Sequence, residues 1–155
     1  MSIRMKKILV AVLSVMLAGS LIYALTDRST EHYLDLTLQI PFRVRQEVKT
    51  DQGTIFRNKV FIENLNQNIK SVTVLPEELS ETGFNELKQR YSSQSSDYAK
   101  VNHNYASMFY ARLDSGPLTY VAYIRRASKG QAWQLKTVGL SGEEVGKMLR
   151  KIKFD

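Results

Sequence analysis

The stretch YASMFYARLDSGPLTYVAYIRRASKGQAWQLKTV, residues 105–138, decides the fold. It contains three runs rich in aromatic and β-branched residues, Tyr105 to Leu113, Leu118 to Arg126 and Ala132 to Val138. Such runs, separated by clusters of Asp, Ser and Gly, are typical of strands. Because the two links are short, consecutive strands can only pair in antiparallel fashion. The sequence therefore predicts an antiparallel meander.

Further strands are predicted on the N-terminal side of this meander. Apolar and polar residues alternate from Leu34 to Ile40, which is the period of a strand with one buried face, and Pro41 ends the run. Three more strands are predicted at Val44 to Lys49, Ile55 to Glu63 and Ile69 to Leu75, the last closed by Pro76. Phe56, Val60 and Ile62 should share a face of the second of these.

Two helices carry clear start signals. The first has Ser80 as its N-cap, and its buried stripe should contain Phe84, Leu87 and Tyr91; the serine-rich run from Ser92 to Ser96 reads as a loop. The second opens with a capping box of Ser141 and Glu144. We expect Val145, Met148 or Leu149, and Ile152 to form its core stripe.

The order of these elements defines the fold class. Strands, a helix, a three-stranded meander and a closing helix predict an α+β fold, with an antiparallel sheet of about six strands and two main helices after an N-terminal signal or anchor helix. We divide the chain into a signal peptide or signal anchor at 1–24, a tether at 25–32 and a single α+β envelope domain at 33–155. Order is expected to begin near Tyr33.

The N-terminus predicts export. Three basic residues, Arg4, Lys6 and Lys7, precede 19 uncharged residues from Ile8 to Thr26. That run is almost long enough to cross a bilayer as a helix, and the positive flank should stay in the cytoplasm. Small residues suited to signal-peptidase cleavage occur at 18–20, and residues 22–24 offer a poorer site with a larger residue at position −3, so the mature protein would begin near Leu21 or Leu25. A retained single-pass anchor is the alternative; either way, the domain faces the periplasm.

Composition sets limits on partners and chemistry. After Lys7 the chain carries 19 basic and 15 acidic residues, a mild excess that favours anionic lipid or an acidic partner only weakly. Cysteine is absent, which excludes disulfides, thiolate metal sites and a lipid anchor on cysteine. The two histidines, His32 and His103, lie far apart in the sequence, and His103 should make loop hydrogen bonds. No metal and no cofactor are expected.

Catalytic and nucleotide-binding motifs are not evident. The sequence lacks the Gly-x-Ser-x-Gly elbow of a hydrolase and the glycine-rich phosphate loops of nucleotide-binding proteins. The carboxylate pairs Glu77-Glu78 and Glu143-Glu144 stand at predicted helix starts, where negative charge stabilises the helix dipole. We therefore predict that the protein is not an enzyme.

The candidate contact residues are Arg125, Arg126 and Lys129. They lie at the end of a meander strand and in the following turn, among aromatic residues. Such interleaving can bind single-stranded nucleic acid, but export from the cytoplasm argues against a nucleic-acid partner. A solvated hairpin tip above core aromatics explains the pattern without any partner. Docking to an envelope protein or to an anionic membrane surface is the functional alternative.

The order of elements also resembles a known family. The strand LDLTLQIP (34–41), the strand-Pro-helix unit from Val72 to Tyr91, the meander and the closing helix, taken as ending in KIKF (151–154), look like the PsbP/Mog1-like fold family, in particular its DcrB-like bacterial envelope branch. This similarity implies a non-enzymatic accessory or partner-binding domain. It transfers no functional residue, because the family has no invariant catalytic motif.

These observations favour a non-catalytic accessory or binding protein of the bacterial cell envelope that supports another envelope component. One alternative is a small periplasmic inhibitor or immunity protein, which would insert a loop such as Ser92 to Lys100 or residues 115–117 into the cleft of an enzyme or toxin. An envelope hydrolase is the remaining alternative.

Overall fold

The structure is a computed structural model that describes Ser14 and residues 28–59, 68–116 and 118–155. Its strands are β1 (Ser29–Tyr33), β2 (Leu36–Ile40), β3 (Gln46–Lys49), β4 (Thr54–Arg57), β5 (Ser71–Glu77), β6 (Tyr98–Val101), β7 (Ser107–Arg112), β8 (Thr119–Arg126), β9 (Gln131–Val138) and β10 (Lys153–Phe154). Its helices are α1 (Glu81–Gln94) and α2 (Gly142–Arg150), and a 3₁₀ turn covers Ala127–Lys129.

The strands form two antiparallel sheets. The larger has seven strands in the order β3-β4-β5-β9-β8-β7-β6, and the smaller has three in the order β1-β2-β10. The predicted meander is confirmed as β7, β8 and β9, which pair in sequence. The α+β class and the two helices are confirmed as well.

Strand β8 is buried on both of its faces. Tyr120, Ala122 and Ile124 face an inner core, whereas Val121 and Tyr123 face an outer core. Because successive side chains of a strand point to opposite faces, each face needs its own covering layer. The protein consequently has three layers, with the seven-stranded sheet in the middle.

The inner core lies between the seven-stranded sheet, the small sheet and α2. Leu36, Leu38 and Ile40 of β2 are fully buried there, as are Val145 and Leu149 of α2. The helix opens with the predicted capping box: the Ser141 N–H donates to Glu144 Oε2 over 2.8 Å, and the Glu144 N–H donates to Ser141 Oγ over 3.2 Å. The predicted core stripe is confirmed, with Ile152 buried just beyond the helix.

The outer core lies between α1 and strands β6 to β8. Phe84 of α1 meets Phe109 of β7 edge-on, with 5.3 Å between ring centroids, and Phe109 lies 5.4 Å from Tyr123. Burial is the main cause that raises the pKa of the Tyr123 hydroxyl, and its contact with Tyr91 raises it further. The predicted N-cap is also confirmed, since Ser80 Oγ accepts from the Gly83 N–H over 3.0 Å.

The prediction of about six strands was too low. Three short strands were not anticipated: β1, most of which lies in the segment expected to be a tether, β6 and β10. β1 and β6 lie at the edges of their sheets, and β10 has only two residues at the other edge of the small sheet. Edge strands bury little apolar surface, so their sequences lack the alternation that identifies a strand.

Several boundaries differ from prediction for local reasons. Leu34 is not the first buried residue of a strand: it lies in the β1–β2 turn with a left-handed φ of 49°. The Ser92 to Ser96 run was predicted as a loop, but α1 continues through it to Gln94. The Ser92 hydroxyl donates to the Gln89 carbonyl within the helix. The closing helix ends at Arg150, and residues 153–154 form β10 against β2.

The end of β5 also differs from prediction, since Pro76 lies inside this strand and does not close it. β9 pairs with β5 along its whole length, but β4 pairs with it only as far as Val74. From Leu75 to Glu77, β5 therefore has a paired neighbour on one side only. A proline is tolerated where a strand lacks a neighbour on one side. Within Ile55 to Glu63, β4 ends at Arg57; Val60 and Ile62 lie outside the described residues.

The predicted signal or anchor helix at 1–24 also lies outside the described residues, apart from Ser14. Within the described part of the chain, none of the helices has the length and apolar character that a membrane crossing requires.

The capping box gives a first prediction. Ser141→Ala should lower the free energy of unfolding by about 1 kcal/mol, because the Glu144 N–H loses its acceptor. The bond from the Ser141 N–H to the Glu144 carboxylate then remains without its reciprocal partner. Urea denaturation measures the change. Ser128→Ala, in the exposed 3₁₀ turn, is the matched control and should be neutral. A loss below a few tenths of a kcal/mol in Ser141→Ala would contradict the assignment.

Gly53 gives a second prediction, because a side chain there has no space. A Cβ would lie 2.1 Å from the Val74 carbonyl oxygen and 2.7 Å from Leu75 Cδ2. Gly53→Ala should destabilise the protein by about 1–3 kcal/mol as β4 is pushed from β5. In Gly116→Ala the new Cβ would meet Thr119 Oγ1 at 3.4 Å, an ordinary contact, so this control should unfold at nearly the wild-type urea concentration.

Candidate binding surface

Three turns meet at one end of the protein, which we call the distal end. They are the β1–β2 turn at Leu34 and Asp35, the loop 102–106, and the β8–β9 turn at 127–130. The Gln131 side-chain amide donates to Asp35 Oδ2, and the Asp155 N–H donates to the Asp35 carbonyl over 3.1 Å. The first bond joins the small sheet to β9 of the large sheet, and the second holds the C-terminal residue to the β1–β2 turn within the small sheet.

His103 fixes the loop 102–106 in place. Its Nδ1 accepts from the Tyr105 N–H over 3.2 Å, so its Nε2 carries the proton and donates to the Ile152 carbonyl over 3.0 Å. The ring also meets Phe154 edge-on at 5.3 Å. The expected loop hydrogen bonds of His103 are thus confirmed, and they tie the loop to the residues that lead into β10.

Two large apolar side chains are exposed at the distal end. Leu34 is 69% exposed and Tyr105 is 70% exposed, the highest values among the large apolar residues that are described. Four other aromatics that the sequence placed near the basic residues, Phe109, Tyr120, Tyr123 and Trp133, are buried. They are core residues, as expected, and offer no platform on which nucleic-acid bases could stack.

The structure separates the three predicted contact residues. Arg126 lies on the inner face: its guanidinium stands 5.1 Å from the centre of the Phe154 ring, and Nη1 donates to the Asp155 backbone oxygen over 3.2 Å. No described atom accepts from its buried Nε. Arg125 lies on the outer face, where its Nε donates to the Leu79 carbonyl over 3.3 Å. Lys129 is exposed in the 3₁₀ turn.

Arg125 joins two concave regions. One, of about 410 Å³, lies at the distal end between the loop 102–106 and Ser128. The other, of about 300 Å³, runs between α1 and the β6–β7 edge and is also lined by Lys88 and Lys100. The sequence missed this second basic groove, because its cations come from α1 and from an unanticipated strand.

Exposure of Leu34 and Tyr105 was also missed. Leu34 fitted the alternation of the following strand, and Tyr105 fitted the aromatic run of the meander. Only recognition of β1 as a hairpin partner of β2 would have moved Leu34 into a turn, and the polar sequence of β1 gives no such signal.

Three of the described groups that could support catalysis, Glu143, Glu144 and His32, have structural partners. Glu144 closes the capping box, and Glu143 pairs with Lys147 at 2.5 Å, a contact that lowers the pKa of the Glu143 carboxyl. His32 Nδ1 lies 2.9 Å from Thr37 Oγ1. Across residues 28–59, 68–116 and 118–155, no three His, Asp or Glu side chains come together as a metal site would need.

Most of the segment from Ser92 to Lys100, which was proposed as the inserting loop of an inhibitor, is helix or strand. Residues Ser92 to Gln94 belong to α1 and Tyr98 to Lys100 belong to β6, so this segment is not free to enter a cleft. The second predicted loop keeps Ser115 and Gly116 in the β7–β8 turn, while Pro117 lies outside the described residues.

Arg126 gives a third prediction, because its contacts serve packing as well as charge. Arg126→Ala should lower the free energy of unfolding by about 1 kcal/mol, through loss of the contact with the Phe154 ring and of the hydrogen bond. Urea denaturation of this variant is compared with that of Lys129→Ala, which removes an exposed cation and should be neutral. Equal midpoints for both variants would show that Arg126 does not hold β10.

No protein-family model, no curated protein and no solved structure matches this chain. The similarity to the PsbP/Mog1-like family therefore stays a prediction from the sequence, and function has to be argued from the residues of the chain itself.

Proposed function

We propose that this chain is a non-catalytic accessory domain of the bacterial cell envelope, which docks by its distal end on another envelope protein. The N-terminal segment carries the domain across the inner membrane and is either cleaved or retained as an anchor. The resemblance of the predicted element order to the PsbP/Mog1-like envelope branch supports this proposal, as does the basic and then apolar N-terminus.

One observation carries the proposal: the exposed Leu34 and Tyr105 stand at the same end as the exposed Lys129. Apolar and aromatic side chains bordered by charge are the usual composition of a protein interface. Both apolar residues lie in segments held by hydrogen bonds, so little conformational entropy is lost when a partner binds them.

The position of this end favours a protein over a membrane as its partner. Arg28, where the described domain begins, and Leu34 lie at opposite ends of β1, roughly 20 Å apart at the usual rise per residue. A domain that follows an inserted N-terminal segment would therefore direct its distal end away from the bilayer. An apolar surface at that end can contact only a soluble partner or a part of a membrane complex that projects into the periplasm.

The fourth prediction tests the docking residues together. The variant Leu34→Asn, Tyr105→Ser, Lys129→Gln should lose at least ten-fold in recovery of the partner from crosslinked envelopes, since each change removes a contact of the distal end. Asn is chosen for Leu34 because it tolerates a left-handed backbone. An accessory domain should recover subunits of a membrane complex, and an inhibitor should recover a soluble enzyme.

A matched control uses the other exposed apolar residues. Leu118 is 43% exposed with the same φ of 49°, and Val138 is 36% exposed. Leu118→Asn, Val138→Ser, Lys136→Gln makes equivalent changes near the other end of the β8–β9 hairpin and should leave recovery intact. Equal recovery by both triple variants would refute docking through the distal end.

A further inference from the structure

A third charged concavity lies at the opposite end of the domain, where Arg28 leads into β1; we call this the proximal groove. It lies between β2 and α2 and has a volume of about 280 Å³. Three cations line it, Arg28, Lys147 and Lys151, together with Gln39, Met148 and the carboxylate of Glu144.

The cations of the proximal groove are only partly neutralised. Glu144 is already engaged, since Oε2 accepts from the Ser141 N–H and Oε1 stands 3.7 Å from Lys70 Nζ. Lys147 pairs with Glu143, but both side chains are largely exposed, so this pair is weak. Within the described ranges, Arg28 and Lys151 have no carboxylate within 4.0 Å.

Arg28, which lines the proximal groove, is close in sequence to the predicted membrane segment. The uncharged run ends at Thr26, two residues before Arg28, and two residues can span at most about 7 Å. This distance is below the Debye length of about 8 Å at physiological ionic strength. If the segment lies in the bilayer, Arg28 stands where the field of anionic headgroups is not yet screened, and the other two cations line the same groove.

We propose that the proximal groove docks the domain on anionic phospholipid headgroups of the membrane that holds the N-terminal segment. Arg28 and Lys151, which have no carboxylate partner among the described residues, supply two of its cations. Met148 and the stems of the lysines provide an apolar floor beside them. The bound domain stands upright on the surface, with β1 running from the membrane toward the distal end. This inference rests on retention of the segment and not on any partner of the distal end.

The absence of cysteine allows the test to be made in the full chain. Thr30→Cys places a fluorescent label beside the proximal groove, because Thr30 is exposed and pairs with Gln39. Ser128→Cys places the same label at the distal end. Each labelled protein is reconstituted in bilayers of phosphatidylcholine alone or with about one third phosphatidylglycerol, together with a headgroup-attached nitroxide quencher.

In the anionic bilayer the Thr30 label should be quenched several-fold more strongly than in phosphatidylcholine, and molar salt should abolish the difference. The Ser128 label should respond to neither. Arg28→Gln, Lys147→Gln, Lys151→Gln should shift the docked population toward the undocked state by roughly 100-fold, as expected for three cations near a charged surface. Lys88→Gln, Lys100→Gln, Lys136→Gln makes the same change in net charge and should retain quenching.

Four results would overturn the inference. The first is equal quenching of the Thr30 label in both bilayers, and the second is an equal loss of quenching in the two triple variants. The third is release by inorganic phosphate beyond that caused by chloride of the same ionic strength, which would identify a site for the free anion. Recovery of the full chain outside the membrane fraction would likewise overturn it. None of these results depends on a distal partner.

Discussion

Burial of β8 on both faces is the constraint on which the rest of the structure depends. A strand with Tyr120, Ala122 and Ile124 on one side and Val121 and Tyr123 on the other cannot lie at a surface. One helix covers one side; a second helix and a small sheet cover the other. At the C-terminal end of the strand, the same alternation places Arg125 on the outer face and Arg126 on the inner face.

The sequence predicted the parts of the fold that depend on local chemistry. Ser80 and Ser141 mark helix starts because a hydroxyl must accept from an unpaired N–H, and the meander follows from short links between apolar runs. β1 and β10 escaped prediction because their pairing with β2 depends on tertiary contacts: the alternate residues of β1 are only partly buried, and β10 has two residues. The N-terminal helix, in contrast, is a prediction that the described residues do not address.

The candidate site was less predictable than the fold. Arg125, Arg126 and Lys129 lie within five positions of the sequence, but strand geometry and structural contacts separate them. Arg125 bonds to the Leu79 carbonyl, and Arg126 contacts Phe154 and Asp155, whereas Lys129 is exposed in the turn. The side chains proposed to dock at the distal end come from segments far apart in the chain. Leu34 is exposed because it lies in the tight turn between β1 and β2. Tyr105 is exposed in a loop that His103 holds in place. No pattern in one dimension brings these residues together.

The direction of β1 has a mechanical consequence. If the proximal end is held at a membrane and the distal end by a partner, any pull between them runs nearly along this strand. A partner that holds the domain through Tyr105 and Lys129 would then load the five register pairs of β1 and β2, from Ser29 with Ile40 to Tyr33 with Leu36, together in shear. Antiparallel hydrogen bonds lie perpendicular to their strands, so shear strains all of them at once, whereas peeling would break them one at a time. An edge strand of modest burial can in this way serve as a firm attachment point.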